Sequence, residues 1–315
     1  MNAIEKRLKE LSQLQPEPTA QPDFAAFWER VLLEAAEAGS CGREPMASPF
    51  VDAPVYKLVF TGASDTPIHA LYMLPPGRGE APVPCVVIFH GYSGSKGNPE
   101  DYAAWAMMGY AVLAVDIRGQ GGETGNMLPQ DYGKTAGWVT QGILDPETCY
   151  YRAISIDGLR AVRYAREQPE VNPDQIFIAG TSQGGGLALV VSALDSRIKG
   201  TVAKVPNMCH MDYGLLYSTG SVTEAADFVT RMPQHLGAVL RTLSYFDVMN
   251  LAEWIHMPIR VTAGLKDTVC MPETIFAAYN KISSADKAIQ VFPFMGHAVE
   301  PGHRQAAHAF FSTLS

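Results

Sequence analysis

The sequence has no uninterrupted apolar run of the roughly 18 residues that a membrane-spanning helix requires. It also has no basic cluster: 24 Lys and Arg stand against 32 Asp and Glu, a net charge of −8. Such a chain is a poor partner for a phosphate backbone or an anionic lipid surface, so neither nucleic acid nor membrane is expected as a partner. Near the N-terminus, Ile4, Leu8, Leu11 and Leu14 recur at helical spacing among charges. A secretory signal needs an unbroken apolar stretch, so none is expected here. Cysteines are scarce and scattered, at 41, 85, 149, 209 and 270. An odd set without Cys-x-x-Cys argues against a disulfide framework and for reduced thiols in or near the core of a cytoplasmic protein. There is no His-Glu-x-x-His and no His pair at ligand spacing, so no metal is expected. No Gly-x-Gly-x-x-Gly follows a strand, so no nucleotide cofactor is expected either. Internal repeats and low-complexity tracts are absent.

What is present is an ordinary globular mixture. Hydrophobic residues at 47% and charged residues at 18% supply enough core to exclude disorder. The 315 residues fit one α/β domain, with residues 1–50 as an N-terminal helical extension. The stretch 15–21, with two prolines, joins the first helix to a second that begins near Asp23 and presents Phe24, Phe27, Trp28, Val31 and Leu32 on one face. Residues 55–60 and 68–74 read as two strands around a turn at Ser64–Asp65, an antiparallel edge on a larger sheet. Nearly continuous apolar runs then follow at 85–90, 111–116 and 175–179, and further strands are expected at 200–205, 259–263 and 288–292. Runs of that kind are strands buried on both faces. Helical stretches alternate with them near 102–108, 149–167 and 185–193. The alternation predicts a mostly parallel sheet covered by helices on both faces. Residues 119–145 form a long Gly-rich excursion, and 207–255 separates two strands by more than one crossover needs. The latter is expected to be a mostly helical insertion that roofs a pocket.

Gly180-Thr-Ser182-Gln-Gly184 directly follows one predicted strand and directly precedes a helix. A strand-to-helix elbow forces its middle residue into a strained conformation that only small flanking residues tolerate. The helix N-terminus also favours negative charge beside that serine. Ser182 is therefore the candidate nucleophile, and it needs a base and an orienter. In this architecture the chain order is serine, acid, histidine. Of the histidines well beyond Ser182, His297 lies in a loop just past the last predicted strand, where sheets of this type present ligand-facing residues. His235 and His256 fall in or at the end of the insertion, and His303 and His308 in or beside the last helix. Asp267 follows the preceding strand by four residues, unlike Asp195, Asp212, Asp227 and Asp247. An oxyanion hole needs two backbone N–H groups. Gln183, next after the serine, supplies one, and Tyr92 in the loop His90-Gly91-Tyr92 the other.

Asp116-Ile-Arg118-Gly119-Gln120, Gly180-Thr-Ser182-Gln183-Gly184 and Gly296-His297, in that order, resemble carbohydrate esterase family 7, the acetyl xylan esterases and cephalosporin C deacetylases. The likeness extends over nearly the whole chain, from Pro22-Asp-Phe and Phe27-Trp28 to Phe276-Ala-Ala-Tyr-Asn280. The resemblance implies an α/β-hydrolase fold, a triad of Ser182, Asp267 and His297, and an oxyanion hole from the Tyr92 and Gln183 amides. It implies removal of acetyl groups from acetylated xylo-oligosaccharides, other small O-acetyl esters and cephalosporin C, without a cofactor; the alternatives are a broader short-chain carboxylesterase or peptidase on the same fold, or a non-catalytic binding or assembly module. It further implies a cytoplasmic homohexamer whose active sites face an internal cavity, with the 120–145 region helping to build the assembly. Two positions depart from the family pattern: Ala298 follows His297 where Glu is usual, with Glu300 two residues on, and Gln141 stands where Arg is usual. Arg118 and Gln120 are expected to fix the loop after the Asp116 strand.

Overall fold

The computed structural model describes residues 1–130 and 137–314. Residues 131–136 of the expected Gly-rich excursion therefore lie outside the described residues. The chain begins with helices α1 (Ala3–Ser12) and α2 (Phe24–Ala36), then strands β1 (Cys41–Pro45), β2 (Val55–Thr61), β3 (Pro67–Met73) and β4 (Val83–Phe89). Next come α3 (Ala103–Met107), β5 (Ala111–Val115), α4 (Tyr150–Glu167), β6 (Val171–Thr181), α5 (Gln183–Leu194) and β7 (Gly200–Lys204). Within 207–255 lie α6 (Met211–Tyr217), α7 (Thr223–Arg231), α8 (Leu236–Phe246) and α9 (Val248–Leu251). The chain ends with β8 (Ile259–Gly264), α10 (Pro272–Lys281), β9 (Lys287–Phe292) and α11 (His303–Ser312). Among the described residues, the strands form one sheet in the order β1-β2-β3-β5-β4-β6-β7-β8-β9.

The pairings β1–β2, β2–β3 and β3–β5 are antiparallel. From β5 through β4 to β9 every pairing is parallel. The change of direction follows from sequence. β5 and β7 are buried at every residue, whereas β2 alternates between buried and partly exposed positions. Continuous burial requires cover on both faces, and the helices supply it. On one face α2, α4, α5 and α10 pack into the larger core. On the other, Trp105, Tyr110, Phe177, Phe310 and Phe311 fill the space beneath α3 and α11, with the Phe177 and Phe311 rings stacked at 4.4 Å. The apolar face of α2 meets the insertion: Phe27 and Trp28 pack on Tyr245 and Phe246, and the Trp28 indole N–H donates to the Tyr245 carbonyl at 3.1 Å.

One element differs from expectation. Residues 1–50 are not wholly helical, because Cys41–Pro45 pairs with Phe60–Tyr56 as an edge strand. It is mostly exposed and contains Gly42 and Pro45, so no apolar alternation marks it. Backbone pairing holds it in the sheet, together with Arg43, which pairs with both Glu170 oxygens at 2.9 Å and lies over the Tyr56 ring at 3.7 Å. Cys41 is exposed, while Cys85, Cys149, Cys209 and Cys270 are buried; all five are free thiols. No helix among the described residues is long and apolar enough to cross a membrane.

Two polar devices brace the loops at the C-terminal ends of β4 and β5. Arg118, with a fully buried side chain, donates through Nε and Nη2 to both Asp157 oxygens, at 2.6 and 2.7 Å. It also donates to the Ala63 carbonyl at 2.9 Å and to Thr66 Oγ1 at 3.1 Å, and Asp157 accepts from the Ala63 amide. The pair ties the β5 loop, α4 and the β2–β3 turn together, the role expected of Arg118. At the end of β4, His90 Nδ1 lies 2.8 Å from the Gly91 carbonyl oxygen, and Nε2 accepts the Ile117 amide proton at 2.9 Å. The carbonyl can only accept, so Nδ1 carries the hydrogen and the ring is neutral. Burial pushes the His90 pKa below its ordinary value.

Asp157→Ala strands the Arg118 charge in the core. Equilibrium urea unfolding should show a loss of about 3–5 kcal/mol; a loss below about 1 kcal/mol would contradict the bracing role. For His90, the unfolded chain takes up a proton near pH ~6.5 that the folded chain refuses until lower pH. Stability therefore rises with pH across that window and falls as pH drops below it. His90→Gln should reduce the slope of unfolding free energy against pH just below about 6.5 by up to one proton's worth. An unchanged slope would show that His90 is not held neutral.

Candidate active site

The site assembles at the carboxyl ends of neighbouring parallel strands, where open α/β sheets bind ligands. Ser182 sits between β6 and α5 with φ 56° and ψ −120°, and only 7% of its surface is exposed. A serine gains nothing from this conformation by itself; the chain reaches it because the flanking glycines permit the approach. A Cβ on Gly180 would lie 2.0 Å from the Gly184 carbonyl oxygen, and one on Gly184 would lie 2.1 Å from the Phe89 carbonyl oxygen. The backbone then fixes the turn. The Ser182 amide donates to the Lys204 carbonyl at 2.9 Å, and the Ser182 carbonyl accepts from Gly186 and Asn207 at 3.0 and 2.9 Å.

His297 and Asp267 reach this serine from the ends of β9 and β8. His297 Nε2 lies 3.0 Å from Ser182 Oγ, and Nδ1 lies 2.8 Å from Asp267 Oδ2. The Asp267 side chain is fully buried, and its other oxygen accepts from the Val269 and Cys270 amides at 2.8 and 2.9 Å. A carboxylate held by two amides keeps its orientation, and it sets the imidazole tautomer with the hydrogen on Nδ1 and Nε2 free to accept. All three residues that the sequence singled out are thus in one hydrogen-bonded chain. Cys270 Sγ lies 3.9 Å from Ser182 Oγ, and burial raises its thiol pKa well above the ordinary value.

Asp227 and His256 are exposed, and other competing residues are engaged elsewhere. Asp195 pairs with Arg166, and Asp247 accepts from the His210 and Met211 amides. His303 contacts the Glu300 carbonyl, His308 contacts Ser312, and His235 stacks on Phe228. Glu300 is buried with one carboxylate oxygen unpartnered, and no hydrogen bond joins it to His297 among the described contacts. Gln141 holds the Gly-rich loop: it donates to the Leu128 and Pro129 carbonyls and accepts from Asn126.

Tyr92 is placed by a partner that sequence reasoning missed. Its hydroxyl donates to the carboxylate of Glu224 on α7, with the two oxygens at 2.6 and 2.8 Å, and accepts from the Trp138 amide at 2.9 Å. Burial and the adjacent carboxylate push the phenol pKa up, so it remains a donor. Glu224 carries no sequence signal, because it lies in the insertion and meets Tyr92 across 132 residues. The insertion thus reaches the loop beside Ser182. A buried serine hydroxyl against an imidazole, with an oriented carboxylate behind it and a helix N-terminus in front, is equipped for nucleophilic attack on a carbonyl.

The chain is similar to known proteins over nearly its whole length. An acetyl xylan esterase from Paenibacillus sp. R4 superimposes with a TM-score of 0.94 at 36% identity, covering 98% of this chain and 99% of its own. Acetyl xylan esterase 1 from Thermoanaerobacterium sp. JW/SL YS485 gives 0.91 at 31% identity, with 98% of each chain covered. The acetyl esterase Axe7A of Xylanibacter ruminicola is 26% identical over 284 residues, 88% of this chain, and the match spans 63% of that relative's length. The fold is that of the α/β-hydrolases, as the resemblance implied. The family model for acetyl xylan esterase (AXE1) matches residues 1–314, and the chain belongs to that family.

Proposed function

We propose that the protein is a serine carboxylesterase that removes acetyl groups from acetylated xylo-oligosaccharides and similar small O-acetyl esters, the ester side chain of cephalosporin C included. The observation that carries this reading is the hydrogen-bonded chain Ser182–His297–Asp267 at a strained strand-to-helix turn, in a member of the acetyl xylan esterase family. Ser182 Oγ attacks the ester carbonyl carbon while His297 Nε2 takes its proton. Asp267 holds the imidazole and stabilises the imidazolium. The backbone N–H groups of Tyr92 and Gln183 receive the oxyanion, and the positive end of α5 adds to their field. The C–O bond to the sugar breaks as His297 returns the proton to the leaving alcohol, and water releases acetate by the same route. No metal or organic cofactor enters this cycle.

The same reading extends to a cytoplasmic homohexamer, which the family resemblance implies. The free thiols suit a reducing compartment. Leu216, Tyr217, Leu236 and Leu240, exposed on α6 and α8, offer apolar surface for contact between copies.

Hydrolysis of p-nitrophenyl esters of rising acyl length tests the reading. The acetate ester should be turned over fastest, with a sharp fall beyond propionate, and Ser182→Ala should lose roughly 10⁵–10⁶ in kcat. Turnover that persists in the variant removes Ser182 as nucleophile. Undiminished turnover of long-chain esters keeps the serine chemistry and discards the acetyl preference.

A further inference from the structure

Outside Ser182, His297 and Asp267, the side chain most directly connected to both proposed oxyanion donors is Gln120. It lies in the loop after β5 and is 9% exposed. Its Oε1 accepts the Ser93 amide proton at 2.7 Å. Its Nε2 donates to the Tyr150 hydroxyl at 2.8 Å and to Gln183 Oε1 at 3.1 Å. The orientation of this amide follows from its partners. A backbone N–H can only donate, so Oε1 must face Ser93. The Tyr150 hydroxyl already gives its hydrogen to the Arg118 carbonyl at 2.7 Å, so it must accept from Nε2. Both hydrogens and the oxygen of Gln120 are thereby used. Gln183 Nε2 is buried without a partner, so among the described residues the bond from Gln120 is what fixes the Gln183 side chain.

Ser93 follows Tyr92 directly, and Gln183 is the other proposed donor residue. Gln120 therefore spans the loop after β4 and the start of α5, whose backbone N–H groups must converge on one oxygen atom. The neighbouring residue strengthens the span: the Gly121 amide donates to the Gly94 carbonyl at 2.9 Å, which lays the β5 loop along residues 93–94. Ser93 itself has φ 61°, a strained setting that an outside hydrogen bond helps to hold. Arg118 anchors the base of the same loop, so the span rests on a buried ion pair.

We infer that Gln120 is a positioning residue that sets the separation of the Tyr92 and Gln183 amides, and so tunes the oxyanion hole without touching substrate. The inference rests on the proposed roles of Ser182 and the two amides. Losing one oxyanion donor costs about 10²–10³ in rate, and displacing a donor by a fraction of an ångström costs less.

The test uses Gln120→Ala and Gln120→Glu in the full-length protein, with an alkyl trifluoromethyl ketone as probe. Ser182 Oγ adds to the ketone carbon, its proton passes to His297, and the ketone oxygen becomes an anion in the hole. In both variants kcat/KM for p-nitrophenyl acetate should fall by about 10–100-fold through kcat. The inhibition constant of the ketone should rise in parallel, with the thermal unfolding midpoint confirming a folded chain. The carboxylate introduced by Gln120→Glu keeps an acceptor for the Ser93 amide but supplies neither donor. Activity of that variant relative to wild type should therefore recover as pH falls and the carboxyl regains a hydrogen. Variants whose ketone affinity and kcat match wild type would overturn the inference alone. So would a loss confined to KM or one that follows unfolding. Failure of the ketone to inhibit the wild-type protein would overturn the oxyanion reading and the inference with it.

Discussion

A serine held at φ 56° where β6 becomes α5 is the constraint on which the site depends. Such a conformation costs of the order of 1–3 kcal/mol and persists only where its surroundings impose it. Here the surroundings are backbone. β4 and β7 lie on either side of β6, the Lys204 carbonyl fixes the Ser182 amide, and the carbonyls of Gly184 and Phe89 fill the space that side chains at 180 and 184 would need. The strain has a structural consequence: the hydroxyl leaves the sheet edge toward the loops after β8 and β9. His297 can then bond it while bonding Asp267.

Around that turn the molecule separates rigid supply from adjustable cover. Ser182, Asp267 and His297 come from the ends of parallel strands whose register the sheet fixes. The loop that carries Tyr92 is held from three sides: by His90 in its neutral form, by Gln120 from the β5 loop, and by Glu224 from the insertion. Residues far apart in sequence thus converge on one short loop. The insertion is in turn anchored by α2, whose Phe27 and Trp28 pack on Tyr245 and Phe246. The N-terminal helices belong to the same mechanical chain that reaches the site.

What was legible in the sequence was what carries a local signal. The strands β4 to β8 gave their own positions because burial on both faces keeps them mostly apolar. The pentad around Ser182 gave the elbow because glycine is required there for steric reasons, and Asp267 and His297 followed from their places after two strands. β1 was illegible, since Cys41–Pro45 has no apolar alternation and is held by backbone pairing and by Arg43 contacts to the distant Glu170 and Tyr56. Glu224 and the span made by Gln120 were illegible for a different reason. Their contacts join segments 132 and 63 residues apart, and no periodicity or spacing encodes such a meeting. The Arg118-Gly119-Gln120 motif marked the right segment, but its connection to the start of α5 exists only in three dimensions.

The most direct measurement is to inactivate the protein with a diethyl aryl phosphate, which phosphorylates an activated serine, and to map the adduct by peptide mass spectrometry. One phosphoryl group per chain on the peptide containing Ser182, formed in step with the loss of esterase activity, is the outcome expected if the strained turn presents the nucleophile. An adduct on any other residue, or full activity after Ser182 is modified, would contradict it.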